Sequence, residues 1–167
     1  GDVTLWGGLC LKLKGGSRTL SSEHLGTMGY SLCAGIAAIF SRPEPATSLV
    51  LAGDGGFQMT LQELATFQQG KRPGDRLIVI VLDNRLLGRV IFGFDGAKGC
   101  DLLGPDFCEL AKVYGGHGYR LDDAVEIGRH VRDAADGLTI LHVPIDPTLK
   151  ADMATFKDGA TKMMNSG

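Results

Sequence analysis

The chain has 167 residues, 17 Lys and Arg against 19 Asp and Glu for a formal charge of −2, and 44% hydrophobic residues, the balance of one globular domain rather than of a disordered tail. With no cationic excess and no run of Lys or Arg, the chain lacks the electrostatic footprint that nucleic acid or an anionic membrane surface demands, so neither is expected as a partner. Its longest purely apolar stretches, such as 77–82, are far short of the roughly 20 residues that span a bilayer.

The chain opens on Gly1 rather than Met, without a basic n-region or an Arg/Ser-rich presequence, and reads as a processed or excised piece. Its expected place is the cytoplasm, or an organelle after processing. Residues 17–21 form a weak strand candidate. The run 28–40 (MGYSLCAGIAAIF) is apolar nearly all round, the pattern of a helix buried in a larger assembly. A short, apolar, turn-bounded strand follows at 48–52. Thr60 with Glu63 three residues on reads as a capping box for a helix that Gly70 ends. A second strong strand spans 77–82. A helix is expected over 106–114, entered through Gly104-Pro105, then a weak strand at 118–121. Another helix runs from Asp122 or Asp123 to Ala135, stopped by Gly137, before the third strong strand at 139–143. From Pro144 the composition turns to Asp, Lys, Thr and Met, so 144–167 reads as a C-terminal arm of a single domain spanning 1–167. Alternating strand and helix predicts an α/β fold, a parallel β-sheet sandwiched by helices in three layers α/β/α.

Four cysteines, Cys10, Cys33, Cys100 and Cys108, form no CxxC pair and sit in or beside apolar segments, as reduced, buried, structural thiols do. Glycine, with 25 residues, is the outlying number, about twice the usual ~7% share. The excess gathers at strand and helix ends, where close backbone approach to a ligand requires it.

The chemistry concentrates in Leu49-Val50-Leu51-Ala52-Gly53-Asp54-Gly55-Gly56-Phe57, a strand ending in a glycine-flanked aspartate. In open α/β sheets ligands bind beyond the carboxyl ends of the strands, where glycines let N–H groups approach phosphate oxygens. A dinucleotide loop is a poor match, since Gln58 stands where GxGxxG needs glycine. A carboxylate inside a phosphate cradle repels its ligand unless a divalent cation lies between them. Asp54 therefore implies a metal, Mg²⁺, bridging protein and diphosphate. A hard ion needs more oxygens, and the next strand ends in Asp83-Asn84-Arg85-Leu86. From Gly56 to Leu82 there are 27 residues, the length of one helix, one turn and one strand. Parallel neighbours would then bring Asp54 and the amide oxygen of Asn84 to one ion.

With these motifs in place, the sequence resembles the thiamine-diphosphate-dependent enzymes of the acetolactate synthase, pyruvate oxidase and 2-oxo-acid decarboxylase type. The resemblance rests on Gly53-Asp54-Gly55 with Asp83-Asn84 downstream, on the run Gly56-Phe57-Gln58-Met59-Thr60-Leu61-Gln62-Glu63-Leu64-Ala65-Thr66, and on Leu25-Gly26-Thr27-Met28-Gly29-Tyr30. It covers essentially the whole chain as the family's C-terminal, diphosphate-binding domain. It implies thiamine diphosphate and Mg²⁺ as cofactors, with Asp54, Asn84 and the backbone carbonyl of Leu86 as metal ligands. Gly55 and Gly56 offer N–H groups to the diphosphate beside Gly53. Met28 is the catalytic contributor, a wedge that bends the cofactor and brings its aminopyrimidine nitrogen against the thiazolium carbon. Gly26 and Met28, flanking Thr27, hold the aminopyrimidine edge through a carbonyl and an N–H. The implied activity is decarboxylation or carboligation of a small 2-oxo acid. The implied partner is a pyrimidine-binding domain, usually of a neighbouring subunit, whose glutamate starts the reaction in a dimer or tetramer.

Several residues depart from the family pattern. Asp83 replaces the first Asn of an Asn-Asn pair and adds negative charge near the metal, as a partner of its ligands. Glu23-His24 stands where Gly-Gly is usual, and Cys33 where Pro is. No segment resembles the glutamate-bearing domain, so the chain is half of an active site. The alternative is a non-catalytic structural or regulatory subunit of the same fold. His24 reads equally as a proton donor and as a loop residue. Glu63 has only its capping role. His117, His130 and His142 lack ligand spacing and read as structural or solvated. Phe92-Gly93-Phe94 line a channel or pack, and Arg85 and Arg89 meet a substrate carboxylate or solvent.

Overall fold

The computed structural model describes residues 1–12, 15–22, 24–94 and 97–149. Four parallel strands, β1 (Thr47–Gly53), β2 (Arg76–Asp83), β3 (His117–Arg120) and β4 (Gly137–Pro144), form one sheet in the order β1-β2-β4-β3. The two central strands are the apolar runs RLIVIVLD and GLTILHVP, buried along nearly their whole length. Such strands can exist only where both faces of the sheet are covered.

One face packs against α2 (Tyr30–Phe40), α4 (Glu63–Gly70) and α6 (Phe107–Val113), with α3 (Asp54–Gln58) at the top of β1. Leu32, Ile36, Ile39, Phe57, Leu64, Phe67 and Phe107 meet Val50, Leu77, Val79, Val81 and Ile140 there. Phe57 and Phe107 lie edge to face at 5.8 Å. Each fully buried side chain of this size contributes about 1.5–3 kcal/mol. The opposite face joins Ile78, Ile80, Leu141 and Val143 to Ile127 and Val131 of α7 (Ala124–Asp133). On the same face α1 (Asp2–Cys10) approaches β1 through Gly7 and Leu51. A short α5 (Gly88–Gly93) follows the loop after β2. The three layers expected from strand–helix alternation are present.

Asp106 caps α6 by accepting from the N–H groups of Cys108 and Glu109, and Asp123 caps α7 by accepting from Val125. Other expectations are corrected. Residues 17–21 form no strand. The capping box fails: Thr60 Oγ1 donates to the Gly29 carbonyl at 3.0 Å, Glu63 accepts from Thr66, and α4 starts at Glu63 with no side-chain cap. Within this chain one face of α2 is buried, and Tyr30, Cys33 and Ala37 are exposed along a shallow groove of about 480 Å³, the face that burial in a larger assembly would cover. All four cysteines are free, but Cys10 and Cys33 are exposed and only Cys100 is fully buried. The supposed arm begins inside the sheet, since Pro144 pairs with Asp83 and the Ile145 N–H donates to the Asp83 carbonyl. Residues 150–167 of that arm, and Glu23, lie outside the described residues.

One contact fixes β3 against α6. A Cβ on Gly118 would sit 2.5 Å from the Cys108 carbonyl oxygen and Cα, backbone that cannot swing aside. Gly118→Ala is expected to cost about 1–3 kcal/mol, read as a lower urea midpoint. An unchanged midpoint would mean that α6 lifts from the sheet freely.

Candidate functional site

The register of β1 on β2 pairs Gly53 with Leu82, so the chain leaves both strands at the same edge of the sheet. Beyond Gly53 it turns at once into α3, with Asp54 as its first residue. Beyond Leu82 it forms a tight loop. Arg85 holds φ +56, a left-handed conformation costly for a side-chain-bearing residue. Asp83 Oδ1 accepts from the Arg85 N–H at 3.1 Å, and Asn84 Oδ1 from the Leu86 N–H at 3.1 Å. These two turns stabilise the strained loop.

Leu86 also pairs antiparallel with Asp101, through Leu87 N–H to Cys100 carbonyl at 2.7 Å and Leu102 N–H to Arg85 carbonyl at 2.8 Å. In this pattern the intervening residue's own N–H and C=O face away from its partner. The Leu86 carbonyl therefore points to the side on which Asn84 meets the Leu86 N–H, and among the described residues no hydrogen bond ends on it.

Asp54 is 3% exposed, and its Oδ2 finds no hydrogen-bond partner among the described residues. Burial pushes its carboxyl up to about 6; the Gly55 N–H opposes this, the neighbouring Asp83 carboxylate adds to it, and the Arg85 N–H also faces the group. An unmatched buried carboxylate is costly, and a cation would reverse that penalty. The donors gathered here are a carboxylate, an amide oxygen and a main-chain carbonyl, the all-oxygen set that suits a hard divalent ion. They fit Mg²⁺. The N–H groups in the first turn of α3 have no partner within the helix: that of Gly55 faces the Asp54 carboxyl, and that of Gly56 is left to donate to an anion.

The third motif packs onto the same place. A Cβ on Gly55 would lie 3.3 Å from Met28 Cε, and one on Gly56 would lie 3.7 Å from the Gly29 nitrogen. Gly29 holds φ +83 as the cap of α2, and a Cβ there would come within 2.9 Å of Thr60. Thr60 thus serves the Gly26–Gly29 turn instead of its own helix. The structure brings Met28, Gly53 to Gly56 and the 83–86 loop together. Gly26 and Thr27 sit on an exposed turn held by Ser22, and no described contact ties them to the strand-end loops.

Of the other candidates, His24 and Phe94 are exposed, Arg85 belongs to the strand-end loop but turns its side chain to solvent, and Arg89 lies 3.8 Å from Asp2. The side chain of Phe92 lies outside those described. His142, read from sequence only as structural or solvated, is buried at the site's edge, with Nε2 2.8 Å from Asp83 Oδ2. The available signal was a histidine inside a strand buried on both faces, where a polar group requires a partner. Among the described residues no helix is long and apolar enough to cross a membrane.

Comparison with known proteins gives the arrangement its relatives. Residues 1–143 match the family described as thiamine pyrophosphate enzyme, C-terminal TPP binding domain. The acetolactate synthase isozyme 2 large subunit of Escherichia coli K12 is 36% identical over 135 residues, 76% of this chain and 24% of that protein. A probable acetolactate synthase large subunit of Methanococcus aeolicus is 32% identical over 161 residues, 92% of this chain and 26% of that protein. Among solved structures, the thiamine diphosphate-dependent 4-hydroxybenzoylformate decarboxylase of Rhodococcus jostii RHA1 superposes with TM-score 0.63 at 26% identity, covering 77% of this chain and 24% of that one. The chain thus spans about a quarter of the length of these relatives. The match over residues 1–143 places it in the family of C-terminal, thiamine-pyrophosphate-binding domains of thiamine pyrophosphate enzymes.

Proposed function

We propose that this chain is the Mg²⁺- and diphosphate-binding half of a thiamine-diphosphate enzyme, acetolactate synthase-like, that decarboxylates a small 2-oxo acid or ligates the product to a second carbonyl. The observation that carries the reading is the buried Asp54 Oδ2, without a hydrogen-bond partner among the described residues and facing the 83–86 loop. Asp54, Asn84 Oδ1 and the Leu86 carbonyl hold the cation, while the N–H groups of Gly55 and Gly56 take the diphosphate. When bound, thiamine diphosphate would supply the electron sink for the carbanion left at the 2-oxo carbon as carbon dioxide departs. Met28, against Gly55, sets the bend of the cofactor, and Gly26 and Thr27 flank its aminopyrimidine edge. A pyrimidine-binding domain, on the same polypeptide or a partner subunit in a dimer or tetramer, completes the site with the acid that starts the reaction. Survival of the whole ligand set favours this reading over a non-catalytic subunit.

The test is calorimetry of thiamine diphosphate onto the complete protein, with Mg²⁺ and with excess chelator, alongside turnover of 2-oxo acids. Binding that needs Mg²⁺, with turnover, is expected; binding indifferent to chelator contradicts the reading. Met28→Ala is expected to leave cofactor retention within a few-fold and to lower kcat by roughly 10–100-fold, because lost orientation falls on the chemical step. Equal losses in cofactor affinity and kcat would assign Met28 to simple binding.

A further inference from the structure

His142 takes no part in the motifs above, yet it touches their centre. It stands on β4 opposite Val81 of β2, its ring meeting Phe107 edge on at 5.2 Å and 73°. Its Nε2 lies 2.8 Å from Asp83 Oδ2, both side chains 8% exposed. A carboxylate oxygen only accepts, so Nε2 carries the proton of this bond. The other oxygen, Asp83 Oδ1, accepts from the N–H of Arg85, the residue in the left-handed conformation. The Asp83 carboxylate is therefore clamped at both ends, by a neighbouring strand on one side and by its own loop on the other. The Asp83 carbonyl is held as well, by the Ile145 N–H at 2.9 Å.

A carboxylate in this place needs such a clamp. Asp83 adjoins Asn84 in sequence and bears electrostatically on Asp54. A charged oxygen is a stronger ligand for a hard cation than an amide oxygen. Left free to rotate, Asp83 would compete with Asn84 for the ion and release the Arg85 N–H that fixes the turn.

We propose that His142 is a positioning residue for the metal loop: by holding Asp83 Oδ2 it keeps that carboxylate on the Arg85 N–H and out of the cation's ligand shell, so that Asn84 Oδ1 and the Leu86 carbonyl face the ion. This rests on the Mg²⁺ reading above. It makes His142 and Asp83 one unit, whose contribution to metal affinity is shared.

The test is a double-mutant cycle on the complete protein, reading the Kd for Mg²⁺ by calorimetry at saturating thiamine diphosphate, with melting of the metal-free protein alongside. His142→Phe, which keeps the packing on Phe107, is expected to weaken Mg²⁺ roughly tenfold, the scale of partners that orient metal ligands. The same change in an Asp83→Asn background is expected to cost less than about twofold, since the charge to be restrained is gone. His142→Gln, which keeps an N–H donor, is expected to recover most of the affinity, and it carries the comparison should the phenylalanine variant not fold. Independent, multiplying losses overturn the inference. So does a lower melting temperature with unchanged Mg²⁺ affinity, the mark of a purely structural role. Asp54→Ala separates the two levels: if it abolishes Mg²⁺ binding while His142 variants do not alter it, this inference alone fails; if it too leaves binding intact, the metal reading fails with it.

Discussion

Replacing Asp54 by Asn is expected to stabilise the metal-free protein and, at the same time, to remove its Mg²⁺-dependent hold on thiamine diphosphate. The carboxyl is buried with one oxygen unpartnered among the described residues, and burial first, then the charge of Asp83, raise its folded-state value from 3.8 to about 6. A raised acid favours the folded state only while protonated. The penalty is therefore absent below the unfolded value, grows as pH rises from 3.8 to about 6, and is complete above that. The corresponding free energy is on the order of 3 kcal/mol, which the uncharged, isosteric amide escapes. Denaturant unfolding in chelator at neutral to mildly alkaline pH reads the gain, and repetition near pH 4 should show it vanish. Calorimetry reads the loss: without its anionic ligand the ion should bind at least about a hundredfold more weakly, equivalent to roughly 2.7 kcal/mol. A variant that is less stable than the parent, or that still binds Mg²⁺ as well, would place Asp54 in the scaffold instead.

The second large effect lies at the opposite end of the sheet. Asp75 is fully buried just before β2. Its oxygens accept from the Ala46 N–H at 2.9 Å, the Arg72 N–H at 2.8 Å and the Arg72 guanidinium at 3.0 and 3.1 Å. Arg72 in turn donates to the carbonyls of Arg42, Pro43 and Glu44. One carboxylate thus joins the turn after α2 to the entries of β1 and β2. Asp75→Ala strands those donors, and a loss of about 3–5 kcal/mol is expected, with the site's own geometry retained in whatever fraction remains folded. The Arg72 side chain first of all, helped by two backbone N–H groups, holds the Asp75 carboxyl down to about 2. A lowered acid stabilises the fold above its unfolded value of 3.8, and that support drains away as pH falls toward about 2. Acid titration should therefore unfold the parent through this window, while an Asp75→Asn variant, weaker at neutral pH, shows a shallower acid dependence there. Parallel curves would remove the carboxylate from the explanation.

What the sequence made legible was what obeys strand logic. A strand ending in Gly53-Asp54-Gly55 and another ending in Asp83-Asn84 had to emerge side by side once the sheet was parallel and the strands neighbours, and they do. Met28 against Gly55 follows the same motif order. What escaped was decided by tertiary contacts. The α1 segment, DVTLWGGLC, contains two glycines and β-branched residues, poor helix formers that hold together against β1 rather than by propensity. α5 is a single short turn lying beyond a loop, too brief to leave a period. Thr60 and Glu63 had the spacing of a capping box, but the Gly29 carbonyl competes for the hydroxyl and wins. His142 was passed over because ligand spacing was sought along the chain, whereas its partner, Asp83, lies 59 residues away across a strand pair. Pro144 looked like the start of a tail; as the last residue of a strand it has no neighbour beyond it that needs its missing N–H.

A crystal of the complete protein grown with thiamine diphosphate and Mn²⁺ in place of Mg²⁺, measured at the manganese absorption edge, gives the most direct reading. One anomalous peak bounded by Asp54 Oδ2, Asn84 Oδ1 and the Leu86 carbonyl, with the diphosphate on its open side, is the expected density. A manganese peak at any other place, with Asp54 Oδ2 still unliganded beside a bound cofactor, would contradict it.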